Sequence, residues 1–94
     1  MASVYILYSS SADSFYIGSC KDLQERLVQH KEKTFDGFTS NNDDWELFFS
    51  INDLEYAQVR DIEIHIKKMK SRKYLQNLAQ FPEMKEKLIL RYNN

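Results

Sequence analysis

Phe15-Tyr16-Ile17-Gly18-Ser19-Cys20-Lys21-Asp22-Leu23-Gln24-Glu25-Arg26-Leu27-Val28-Gln29-His30 is the stretch around which the chain is organised. Phe15, Tyr16 and Ile17 are aromatic or β-branched and predict a strand. Gly18 is one of two glycines in the chain. It marks a sharp bend or a close approach of backbone to something else. Ser19, three residues before Asp22, reads as a capping box that opens a helix. Over about 21–31, Leu23, Arg26, Leu27 and His30 follow the i, i+3, i+4, i+7 spacing of one helix face. An arginine and a histidine on that face, just after an aromatic strand, point to a site rather than to plain core.

Working outward, residues 3–8 (Ser-Val-Tyr-Ile-Leu-Tyr) form a nearly continuous apolar run, the pattern of a strand central in its sheet. Ser9 to Asp13 is a polar turn, so 3–8 and 14–18 make a hairpin. That hairpin brings Tyr5 and Tyr16 near each other. Thr34 to Asp44, with Gly37, Thr39, Ser40, Asn41 and Asn42, reads as a loop longer than the usual connection. Residues 45–50 form a third strand. A second helix runs from Asp53 to Met69 with Tyr56, Val59, Ile62, Ile66 and Met69 as its apolar stripe. A short third helix carries Tyr74, Leu75 and Leu78, and Pro82 begins a last one. The fold class is therefore α/β of the α+β kind: a small three-stranded, mainly antiparallel sheet flanked by helices. Residues 1–94 read as one domain.

Composition narrows the function. Hydrophobic residues make up 43% of the chain and aromatics 14%, which is globular rather than disordered. No apolar run approaches the length of a membrane span. The first residues lack a signal-peptide pattern, and the expected location is the cytoplasm. Cys20 is the sole cysteine, which excludes an internal disulfide and a cysteine zinc site, and it reads as a buried, inert thiol. Net charge is −1, but its distribution is uneven: residues 1–57 carry a net −6 and residues 58–94 a net +5. A basic half of this kind can present one positive face to phosphates.

Glu63 falls on the shoulder of the stripe in the second helix. A carboxylate there needs an ion-pair partner, such as Lys67 one turn on, or a metal. Lys67, Lys68, Lys70, Arg72 and Lys73 follow as a basic run, read either as a solvated surface or as a nucleic-acid-binding face.

Tyr16-Ile17-Gly18 resembles the second half of the paired motif that names the GIY-YIG nuclease superfamily, and Ser3-Val4-Tyr5 stands where the first half would be. Arg26 and His30 match the family's helix pattern, and Glu63 matches its metal-binding acid. The resemblance extends from about Ser3 to Leu78. It is similar to the small stand-alone, single-domain members and to the N-terminal nuclease domain of the excision-repair nuclease. The resemblance implies a metal-dependent endonuclease that hydrolyses DNA phosphodiester bonds, in repair or recombination. Tyr5, Tyr16, Arg26, His30 and Glu63 would be its catalytic residues, with Glu63 on Mg²⁺ or Mn²⁺. A partner protein or the shape of the DNA would supply targeting. Ser3 in place of the motif glycine supports the other reading, a nucleic-acid-binding module of the same fold with weak or no turnover.

Overall fold

The structure, a computed structural model, describes residues 1–31 and 44–93. Its middle strand is β1 (Ala2–Ser9), flanked by β2 (Ser14–Cys20) and β3 (Trp45–Leu54), and both pairings are antiparallel. β1 is buried along nearly its whole length, which is what its continuous apolar run requires. The helices are α1 (Leu23–Lys31), α2 (Tyr56–Met69), α3 (Arg72–Gln80) and α4 (Pro82–Arg91). Among the described residues the fold is thus a three-stranded antiparallel sheet with four helices, as the sequence leads one to expect.

Alternation along the strands sorts side chains to two faces. Val4 and Ile6, with Phe15 and Ile17, pack against Val59, Ile62 and Ile66 of α2 and Leu75 and Leu78 of α3. Tyr5 and Leu7, with Tyr16 and Cys20, pack against Leu23 and Leu27 of α1 and against Trp45. Each fully buried aliphatic side chain contributes about 1.5–3 kcal/mol. The larger cluster under α2 and α3 is therefore the main source of stability, and the smaller one under α1 holds the aromatic groups. α4 joins the larger cluster through Leu88.

Several boundaries differ from the sequence reading. β3 continues to Leu54, and α2 starts at Tyr56, not Asp53. Asp53 takes a left-handed conformation (φ 60°) where the β1–β3 register slips between the Ala2–Leu54 and Val4–Ile51 pairs. A bulge of this kind prolongs a strand past a polar residue that otherwise reads as a helix start. Glu55 and Gln58 then form the capping box of α2. Tyr56 and Met69 lie exposed, while Val59, Ile62 and Ile66 form the buried stripe. The α1 cap is likewise not Ser19, which remains in β2. Asp22 accepts a hydrogen bond from the Glu25 N–H at 3.1 Å and caps the helix. The loop read at Thr34 to Asp44 lies outside the described residues except for Asp44. That carboxylate takes four hydrogen bonds from Ser9, Ser10 and Ser11 and so fastens the start of β3 to the β1–β2 turn. These bonds hold its pKa well below the usual carboxylate range.

Candidate active site

Two groups of polar residues meet at β2, which is an edge strand. The first lies on the α1 face. Tyr5 pairs across the sheet with Gly18, and Leu7 with Tyr16, so the two tyrosines are diagonal neighbours. Their ring centroids are 6.2 Å apart. The last turn of α1 places His30 against both rings, at 5.7 Å from Tyr5 and 5.5 Å from Tyr16. The Tyr5 hydroxyl lies 3.0 Å from His30 Nε2. Arg26, one turn earlier on α1, lies near enough for its charge to act on the Tyr5 hydroxyl. The arrangement is consistent when that hydroxyl donates to a neutral His30.

Burial pushes the Tyr5 pKa up, the neighbouring Tyr16 adds to this, and Arg26 opposes it. Burial, then the Arg26 charge, push the His30 pKa down. Both shifts favour the neutral pair, which is the state the hydrogen bond needs. Tyr5 has no solvent exposure at all, whereas Tyr16 is partly exposed. Gly18 explains how Tyr5 fits. A Cβ on residue 18 would stand 2.7 Å from the Tyr5 hydroxyl oxygen and 2.8 Å from Cζ. The glycine serves close approach, one of the two roles its position allowed; its φ is not positive.

The second group lies on the α2 face. Ser19 follows Gly18 and, by alternation, points to the opposite side of the sheet. Its hydroxyl donates to Glu63 Oε1 at 2.5 Å. Lys67 Nζ stands 2.7 Å from Glu63 Oε2, the i, i+4 pair legible in the sequence. Glu63 is half-buried, with 19% side-chain exposure. Tyr5, Tyr16, Arg26 and His30 therefore form one cluster. Glu63 stands on the other side of the strand, and two adjacent residues of β2 link the groups. Ser19 is the site residue that sequence reasoning missed, because its contact with Glu63 joins positions 44 apart.

The basic run does not form one face. Lys67, Lys70 and Arg72 line a groove beside β2. Lys68 lies on another side of α2, in a cavity with His65 and Arg91. Lys73 is exposed on α3. Arg72 Nη1 bonds Asp13 Oδ1 at 2.9 Å, and its Nη2 reaches the Asp13 carbonyl oxygen. Cys20 is a buried free thiol whose pKa burial pushes up, in keeping with an inert role.

Among the described residues no set of three or more His, Cys, Asp and Glu side chains gathers to hold a metal ion. Of the predicted site residues, Glu63 is the one that offers a carboxylate, and it is held beside β2 by Ser19. That donor set fits a hard cation that keeps several waters and completes its shell with phosphate oxygens, as Mg²⁺ does. It does not fit a site enclosed by protein ligands.

The model of the GIY-YIG catalytic domain matches residues 1–76, and the chain belongs to that family. Searches of curated proteins and of solved structures returned no match. No helix among the described residues is long and apolar enough to cross a membrane.

Proposed function

We propose that the chain is an endonuclease that hydrolyses DNA phosphodiester bonds with one divalent cation, Mg²⁺ or Mn²⁺. The observation that carries this is the Tyr5–His30 hydrogen bond with Tyr16 and the Arg26 charge beside it, set across one strand from the Glu63 carboxylate. A phosphate laid over the β2 edge would meet groups from both faces. Arg26 presents a planar fork of donors suited to a phosphate and to the charge that builds on it. Tyr16, the more exposed tyrosine, orients the attacking water. Tyr5 is buried and held neutral, so its part is to fix His30 rather than to meet water. Neutral His30, its acceptor nitrogen engaged by Tyr5, orients the two tyrosine rings that it packs against.

Glu63 would hold the cation, with its carboxylate fixed in orientation by Ser19. When bound, that ion neutralises phosphate charge and lowers the pKa of water. Ser3, which stands where the motif has glycine, is accommodated in β1, and its hydroxyl donates to Asn52 Oδ1 at 3.0 Å.

Plasmid nicking with and without Mg²⁺ tests the reading. Glu63→Gln keeps the side-chain length and the Ser19 contact but removes the charge. It is expected to lower nicking by a few orders of magnitude, with DNA binding in EDTA nearly intact and little change in melting. Persistent cleavage by the purified variant would remove Glu63 from the mechanism. A fall in melting temperature with cleavage intact would mark it as a structural ion-pair partner of Lys67.

A further inference from the structure

The groove beside β2, about 340 Å³ in volume, is built from two kinds of surface. Lys67, Lys70 and Arg72 form its cationic rim, and Phe15, Ile17 and Leu75 form an apolar floor. It is continuous with the site, since Lys67 of its rim is the partner of Glu63. Phe15 is the aromatic part of the floor. Its ring is partly exposed, lies 4.8 Å from Tyr8 and 5.1 Å edge-on from Phe48, and has the Arg72 guanidinium 5.6 Å from its centre. Arg72 is tied to the Asp13 carboxylate and carbonyl oxygen, but all these groups are exposed, where water screens the pair. A phosphate can therefore compete with Asp13 for the guanidinium.

A duplex backbone offers this groove phosphates for the rim and nothing for the floor, because its base faces are stacked inside. An unpaired strand offers both a phosphate and the flat face of a base, and a cationic groove with an aromatic platform is the surface that binds it. We propose that this groove holds a single-stranded DNA segment next to the bond to be cut, so that the substrate is DNA with an unpaired stretch, such as an overhang, flap or bubble. The proposal rests on the nuclease reading for what happens to the strand, not for its binding.

The test separates the two. Binding of a labelled 12-nucleotide oligo-dT and of a blunt duplex of the same length is followed by fluorescence anisotropy in EDTA, where no cleavage occurs. The single strand is expected to bind at least about tenfold tighter than the duplex. Phe15→Leu keeps an apolar side chain over Ile66 and Leu75 but removes the π face. It is expected to weaken the single strand by roughly 5- to 150-fold, the range for one base stack, with the duplex unchanged. Lys70→Gln, on the exposed rim, is expected to weaken both and to reduce the salt slope. Equal binding of the two DNAs by the wild type overturns the proposal. So does a Phe15→Leu protein that melts normally and binds the strand as the wild type does. A chain that prefers the single strand in EDTA yet nicks nothing with Mg²⁺ keeps the groove and loses the nuclease reading. Nicking without that preference does the reverse.

Discussion

Gly18→Ala is the smallest change that tests the geometry of the tyrosine cluster. The new Cβ would stand 2.7 Å from the Tyr5 hydroxyl oxygen, 2.8 Å from Tyr5 Cζ and 3.0 Å from Tyr16 Cε1. Optimal carbon contacts lie near ~3.5–4.0 Å, so the overlap with Cζ exceeds half an ångström. Tyr5 cannot swing into solvent, because it is fully buried and its hydroxyl is held by His30. Overpacking of this kind costs about 1–3 kcal/mol. Against it, alanine in a strand avoids the backbone entropy of glycine and gains about 0.5–1 kcal/mol. The difference is about 0–2.5 kcal/mol, so the clash wins by about 1 kcal/mol at the centre of the range. For a chain of this size that central loss lowers Tm by roughly 4–8 °C, measured by circular dichroism or calorimetry. Nicking is expected to fall further than stability does, since the ring that moves is the one that fixes His30. A Gly18→Ala protein that melts at or above the wild-type temperature would refute the close approach.

Three further outcomes follow from the same geometry. Ser19→Ala is expected to raise the Mg²⁺ concentration needed for half-maximal nicking about tenfold, with Ser19→Thr restoring most of it, because one charge-assisted hydrogen bond contributes about 1.5–3 kcal/mol; an unchanged metal requirement, followed both by nicking and by Mn²⁺ binding, would show that Ser19 does not position Glu63. Both histidines have pKa values lowered in the fold, His30 and His65 each mainly by burial. The unfolded chain then binds protons first, so stability is complete above the unfolded histidine value near ~6.5 and falls as pH drops through and below it. Tm is expected to decline from pH 7 to pH 5.5, well above the range where Asp13 and Asp44 titrate, and the decline should be shallower in His30→Gln; a flat profile would contradict the burial of the Tyr5–His30 pair. Replacing Lys67 and Lys70 with Gln is expected to reduce the salt slope of DNA binding by about 0.7–0.9 for each phosphate no longer neutralised, whereas Lys68→Gln leaves it unchanged; equal effects would mean that the basic run acts as one face after all.

Much of this fold was legible because its signals are local. The apolar run of β1, the hairpin and the α1 face carrying Arg26 and His30 all follow from periodicity within a dozen residues. The tyrosine–histidine cluster follows from these elements once the hairpin is paired. What escaped was non-local or ambiguous between two local codes. Ser19 followed by Asp22 satisfies a capping pattern, but the strand already claimed Ser19, and Asp22 had its own side chain for the cap. Asp53 looks like a helix start because aspartate is common there, yet it also tolerates the left-handed conformation that a bulge needs. The tie between Ser19 and Glu63 depends on where α2 lies over the sheet, which no window of sequence contains. The division of the basic run is different. Lys67 and Lys68 are about 100° apart on any helix, so their separation was readable in principle.

The uninterrupted β1–β2 register, from Ser3 opposite Cys20 to Ser9 opposite Ser14, has a consequence for what mutation can do to this chain. In β3 the two register shifts show that extra residues can be absorbed as bulges. In β2 nothing absorbs them. A single-residue insertion or deletion between Tyr16 and Ser19 would exchange the faces of the residues on one side of it. Either the two tyrosines would part from His30, or the serine would turn away from Glu63. Length in this segment is therefore under tighter constraint than the identity of most of its residues, and indels here should be lethal to function where many substitutions are not.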